Sequence, residues 1–173
     1  MRYFFITQDT GLSGAIRFRD FDIQKGGRLF TKADSKKLND SVVLYLSGSG
    51  KEARPDFIQN PVTMCSYRLK DILEAYEDGI EFKDVVMIHK ENSLQYNYVQ
   101  LLLESIDALS GKSEWYPNGT LKRIVLDGKR IGEHHIFLLD GGYRRDPVIS
   151  LPLAESLLRR DVTGICLEEA EVD

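Results

Sequence analysis

The residues able to do chemistry are few and scattered. Histidine occurs at 89, 134 and 135, and cysteine at 65 and 166. Neighbours on a strand point to opposite faces, so His134 and His135 are poorly placed to hold one metal ion together. The cysteines lie far apart, with no CxxC spacing for zinc or redox work, and an exported disulfide scaffold would carry more of them. Reduced thiols in a cytosol are the expectation. Cys65 directly precedes Ser66, an N-cap candidate, and a helix N-terminus can lower a thiol pKa. A small residue at the end of a strand explains Cys65 more simply. Ser47-Gly48-Ser49-Gly50-Lys51 follows an apolar run, as a phosphate loop would, but it lacks the full spacing, and Pro55 interrupts any following helix. It reads as a loop or linker. A catalytic or small-molecule site would have to be assembled from scattered residues such as Cys65, His89, His134 and Asp140, and that is the alternative reading. Neither a cofactor nor a metal is expected.

Two groups of carboxylates stand out. Glu74, Glu77, Asp78 and Glu81 surround the end of one expected helix, and Glu168, Glu169 and Glu171 lie near the C-terminus. Carboxylates at a helix C-terminus oppose its dipole, so Glu77 and Asp78 cost some stability where they stand. A surface that tolerates such a cost can serve a basic partner, and these seven residues are the candidate partner-binding positions. The net charge is -4, with a pI near 5.5. That argues against nonspecific binding to nucleic acid or to an anionic membrane. The charge is uneven: residues 1–60 are net +3 and residues 61–173 net -7.

The elements that must position these groups follow from the apolar spacing. Ser66 begins a helix on which Leu69, Ile72, Leu73 and Tyr76 recur at i, i+3, i+4 and i+7, with Gly79 expected to end it in a left-handed conformation. A strand over residues 80–88 follows. The same word returns near the C-terminus, where Ser150, Leu153, Leu157, Gly164, Ile165 and Leu167 stand as Ser66, Leu69, Leu73, Gly79, Ile80 and Phe82 do, with one extra residue inside the second copy. Pro152 fits its first turn. The two helix-strand units suggest a pseudo-repeat. Short strands are expected over residues 3–6, 15–18, 28–30 and 42–46, separated by turns at 11–14, 26–27 and 47–50. The first of these reads as an edge-to-core strand. A strand running to Leu103, and an antiparallel pairing of residues 121–126 with 135–139 around a turn at Asp127-Gly128, complete the pattern. The N-terminal apolar run of four residues is too short for a signal peptide, and no segment is long enough to span a bilayer.

From about Phe57 onward the chain resembles a bacterial immunity protein family of polymorphic toxin systems, immunity protein 11. The matching words are Tyr96-Asn97-Tyr98-Val99-Gln100, Ile106-Asp107-Ala108-Leu109, Ile124-Val125-Leu126 and His135-Ile136-Phe137. They are followed by Pro147-Val148-Ile149-Ser150 with Leu153, Leu157 and Thr163-Gly164-Ile165. Ser110 and Leu138 depart from the acidic and basic residues expected there. The resemblance implies a cytoplasmic, non-catalytic protein that binds and neutralises a cognate toxin, with no cofactor. An acidic face would suit a basic toxin such as a nuclease.

The expected fold is therefore α+β, an antiparallel or mixed sheet with two main helices packed on it. The chain is expected to form a single domain over residues 1–173, with a strand-rich part, 1–56, that has no recognised family, and an immunity-protein-like part, 57–173. The expected partner is a toxin protein rather than nucleic acid or membrane, with homo-oligomerisation left open.

Overall fold

The computed structural model describes residues 1–12, 16–19 and 30–173. The expected strands at 15–18 and 28–30 and the turns at 11–14 and 26–27 lie wholly or partly outside those residues. In chain order the elements are β1 (Tyr3–Gln8), β2 (Arg17–Phe18), a 3-10 helix (Lys32–Lys37), β3 (Ser41–Ser47), β4 (Phe57–Ile58), β5 (Met64–Cys65), α1 (Tyr67–Glu74), β6 (Glu81–His89) and β7 (Leu94–Leu102). They continue with β8 (Ser105–Ile106), β9 (Glu114–Trp115), β10 (Leu121–Arg123), β11 (Val125–Leu126), α2 (Gly128–Ile131), β12 (Ile136–Leu139), β13 (Val148–Ser150), α3 (Leu151–Arg159) and β14 (Ile165–Val172).

Helix α1 starts where Ser66 Oγ accepts from the Leu69 amide at 3.2 Å, and it buries Leu69, Ile72 and Leu73. Helix α3 carries Pro152 in its first turn and buries Leu153, Ala154 and Leu157. Full burial of such a leucine stabilises by about 2–3 kcal/mol, which is what holds helices this short. The left-handed stop expected at Gly79 is not found, and the matching Gly164 lies beyond the end of α3 at Arg159. Gly164 is left-handed, at φ 80°, whereas Gly79 is not among the glycines of positive φ, and α1 has already ended at Ala75.

Among the described residues the strands form two mixed sheets of six and a separate β9–β10 hairpin, where the expectation was one sheet. One sheet runs β2-β3-β6-β7-β5-β4 and the other β11-β14-β1-β13-β12-β8. Five consecutive strands of each share one pattern. Both β3-β6-β7-β5-β4 and β11-β14-β1-β13-β12 pair as parallel, antiparallel, antiparallel, antiparallel. In each, a strand-helix-strand crossover leaves room for one antiparallel strand between its two strands, filled by β7 in the first sheet and β1 in the second. The register agrees as well: Cys65 and Asp84 flank Val99, and Ile149 and Glu169 flank Phe4. The repeated helix-strand word therefore sits inside a repeated topology. β1 is accordingly a central strand, not the edge-to-core strand its position in the chain suggested.

Around Asp127 the expected hairpin is absent. Asp127 caps the short helix α2 through the amides of Lys129 and Arg130, β11 pairs in parallel with β14, and β12 pairs with β13. The expected strand over 121–126 divides into β10 and β11, which serve different sheets.

The core has three parts. Between the helices and one face of each sheet lie Ile6, Phe57, Cys65, Leu69, Leu73, Val99, Leu101, Ile136, Leu138, Ile149, Leu153 and Leu157. Behind the second sheet lie Tyr3, Phe5, Leu126, Ile131, Phe137 and Val148, and behind the first lie Leu46, Ile58, Met64, Val85, Met87 and Tyr98. Strand β14 serves two of these, giving Ile165 and Leu167 to the central core and then Ala170 and Val172 to the second.

Candidate functional site

The residues with chemical potential do not converge. Cys65 is fully buried in the central core, and burial pushes its thiol well above the usual range, the opposite of an activated nucleophile. His89 is buried at the end of β6. Glu91 Oε2 lies 3.4 Å from its Nδ1, but neither ring nitrogen has an aligned hydrogen bond. His134 and Asp140 stand beyond opposite ends of β12, about 20 Å apart along an extended chain. Asp140 accepts from the Ser105 hydroxyl at 3.3 Å. Among the described residues no three His, Cys, Asp or Glu side chains gather in a way that could hold a metal ion. The loop at 47–50 is a turn closed by Glu52, whose carboxylate accepts from the amides of Ser49 at 2.5 Å and Gly50 at 2.8 Å. The amides that would cradle a phosphate there are already taken, and the Glu52 carboxyl is held below its usual range by its own backbone amide first and then by those of Ser49 and Gly50.

Two polar joints do form, and they match. At the first, Ser66 donates its hydroxyl to Asp56 at 2.6 Å, and Asp56 accepts from the Thr163 amide at 2.9 Å and hydroxyl at 3.0 Å. At the second, the Ser150 hydroxyl and His135 Nδ1 are 2.7 Å apart, and Glu77 accepts from the His135 amide at 2.8 Å. The backbone repeats the match, with Ser66 donating to the Asp56 carbonyl at 2.8 Å and Ser150 to the His135 carbonyl at 2.9 Å. Each joint ties the N-cap of one helix to the chain leaving the other. A Ser-His contact in such a place is structural, because Ser150 is fully buried.

The seven candidate carboxylates separate into different roles. Glu77 turns inward to the second joint, with His134 Nδ1 3.2 Å from its other oxygen, so it is not part of an open acidic face. Glu169 receives Arg2 through two bonds of 2.6 and 2.8 Å, Glu168 receives Arg144 at 2.5 Å, and Glu171 receives Arg123. The arginines hold Glu168 and Glu169 below the usual carboxylate range. The C-terminal group is therefore a ladder of ion pairs rather than a negative field, since each charge has its counter-charge within contact. The sequence offered no sign of this, because Arg2, Arg123 and Arg144 come from distant parts of the chain. Glu74 pairs with Lys70 at 2.7 Å. Asp78 and Glu81 are exposed and have no ion pair among the described residues, and Glu81 lines an open groove with Lys32, Lys36 and Glu104.

One surface was not foreseen. Val43 and Tyr45 of β3 are 49% and 40% exposed on the helix side of the first sheet. Residues 42–46 are all apolar, so nothing in their order distinguishes an inner from an outer face. No helix among the described residues is long and apolar enough to cross a membrane.

Compared with known proteins, the chain matches the model of an immunity protein family, Imm11, over residues 15–172. The match takes in residues 15–56, a stretch in which no family is recognisable from the residues alone. No curated protein matches the chain.

Proposed function

The chain belongs to the Imm11 immunity protein family, and on that premise we propose that it is a non-catalytic inhibitor that binds and neutralises a cognate bacterial toxin domain. The observation that carries the reading is the length of the family match, which takes in both long helices, the first sheet and every strand of the second sheet except β1. The chemistry of the interior supports it. Cys65, Glu77, His135 and Ser150 are used in packing and in the joints, and the residues of the alternative enzymatic reading lie in different parts of the fold.

Neutralisation by a one-to-one complex in the producing cell's cytoplasm requires an interface of about 1,200 Å² or more and nanomolar or tighter affinity. Of the seven carboxylates, Asp78 and Glu81 are exposed without an ion pair among the described residues, and they would steer a basic toxin such as a nuclease; Glu74 could join them only by giving up Lys70. Co-expression with the toxin encoded beside its gene tests the function. Cell survival with co-purification of the two proteins is the expected result. Cell death with no complex would refute the reading.

A further inference from the structure

The helix side of the first sheet is only partly covered. Phe82, Val99 and Leu101 pack in the central core with α1. The next two rows on the same face are Val43, Val86 and Asn97, then Tyr45, Ile88 and Gln95, set side by side by strand register. Val43 and Tyr45 are among the exposed large apolar residues of the molecule, as is Tyr67 at the start of α1, 46% exposed. Tyr67 leans on this face, donating its hydroxyl to Asp84 at 3.1 Å. Lys90 lies 4.1 Å from the centre of the Tyr45 ring.

The second sheet shows how the same position is built when it faces water. By register, Phe4 matches Val99, Glu169 matches Asp84, Glu171 matches Val86 and Arg2 matches Asn97. That face carries the Arg2–Glu169 and Arg123–Glu171 ion pairs. The Val86 and Asn97 positions are thus charged in the second sheet, while Val125, which matches Val43, is apolar there but covered, at 2% exposed. In the first sheet the corresponding rows carry Val43, Val86, Tyr45 and Ile88, an exposure of apolar area that has a cost in water unless something covers it.

We propose that this face, centred on Val43, Tyr45, Val86 and Ile88, is the docking surface for the toxin domain, and that it takes a basic surface bearing apolar anchors. The proposal rests on the immunity reading above. Charge supports the choice of partner. Tyr67, Asp71 and Glu74 share one stripe of α1 by their spacing of four and three, and Asp78 follows beyond its end, so the apolar rows border an acidic strip. Asp71 and Asp78 have no ion pair among the described residues. Area argues against a second copy of the chain. Two rows across three strands, with the Ser41–Asp84 margin, present about 300 Å², against about 800 Å² per partner in a standard interface. The apolar rows are thus the centre of a footprint that must extend over the acidic strip, and an identical acidic strip would repel it.

The test measures binding of a catalytically silenced form of the toxin domain encoded beside the gene to the full chain and three variants. Val43→Glu with Tyr45→Glu is expected to weaken the complex by about a hundredfold or more. Val43→Thr with Tyr45→Thr keeps strand propensity while removing apolar area, and is expected to weaken it about tenfold. Glu171→Gln, on the matching face of the other sheet, should stay within about twofold of the wild type. Two results would overturn the surface while leaving the function standing: a wild-type complex that neither β3 variant weakens, or a free protein that sediments as a dimer and becomes monomeric with Val43→Glu and Tyr45→Glu. Absence of any wild-type complex would overturn the immunity reading and this proposal with it.

Discussion

Tyr98 shows how a polar side chain in this protein serves packing first. Its ring lies in the core behind the first sheet and its hydroxyl donates to the Pro55 carbonyl at 2.8 Å. Burial, with a smaller contribution from Asp56, pushes its pKa up to about 12. An unfolded tyrosine ionises near pH 10. Between these values the unfolded chain has lost a proton that the folded chain keeps, so the stabilisation is complete below pH 10 and is lost as pH rises towards 12. Tyr98→Phe should therefore cost about 1 kcal/mol at pH 8 through the unpaired Pro55 carbonyl. Its deficit relative to wild type should shrink between pH 10 and 11 in urea unfolding; a deficit independent of pH would contradict this account. At this scale little was legible beforehand. The partners of Asp56, Glu77, Glu169 and His135 lie far along the chain, and a single sequence carries no record of which distant residue meets which. Cys65 was legible, because a small residue at the end of an apolar strand is most simply a core residue.

Among the elements, the helix starts were readable and the helix stops were not. Ser66 caps its helix through the Leu69 amide, and Ser150 stands at the N-cap position before Pro152 with its hydroxyl on His135 instead of on the helix, so both starts are marked by local residue types. Gly79 and Gly164 occupy the same place in the repeated word, yet only Gly164 is left-handed, at φ 80°. A Cβ at Gly164 would overlap Pro55 and lie 2.9 Å from the Phe57 carbonyl, whereas at Gly79 the nearest atom is the end of Lys32 at 3.5 Å. Gly164→Ala should lower stability by about 2–4 kcal/mol, combining backbone strain with overpacking. Gly79→Ala should change it by less than about 0.5 kcal/mol, as surface substitutions do. Thermal or chemical unfolding of the two variants checks the difference, and equal effects would show that the first joint does not depend on this close approach. Asp127-Gly128 was misread for a related reason. An Asp-Gly pair is a strong turn signal, but the side chain of Asp127 can equally cap a helix, and tertiary packing of Ile131 decides between them.

For the whole molecule, the repeated helix-strand word was the most informative feature of the sequence. It lies in two five-stranded arrangements of matching order, with β1 supplying from the N-terminus what β7 supplies from the middle of the chain. That closure could not be read from local pattern, since β1 and β14 are neighbours in space and opposite ends in sequence. Net charge was similarly incomplete. The negative total is real, but Glu74, Glu168, Glu169 and Glu171 are matched by basic side chains and Glu77 turns inward, leaving Asp71, Asp78 and Glu81 as the carboxylates around α1 without an ion pair among the described residues. Asp78→Lys with Glu81→Lys should slow association with a basic toxin severalfold at low salt and leave dissociation nearly unchanged. Stopped-flow rates across a salt series read this directly, and the difference should fade by about 0.5 M salt. A rate independent of these charges would place the toxin's approach elsewhere.

The most direct test of the account is calorimetric titration of the purified protein with the catalytically silenced toxin domain encoded beside its gene. The account predicts one-to-one binding with nanomolar or tighter affinity, and a negative heat-capacity change from covering the β3–β6–β7 face. No detectable heat or complex at micromolar concentrations of both proteins would contradict it.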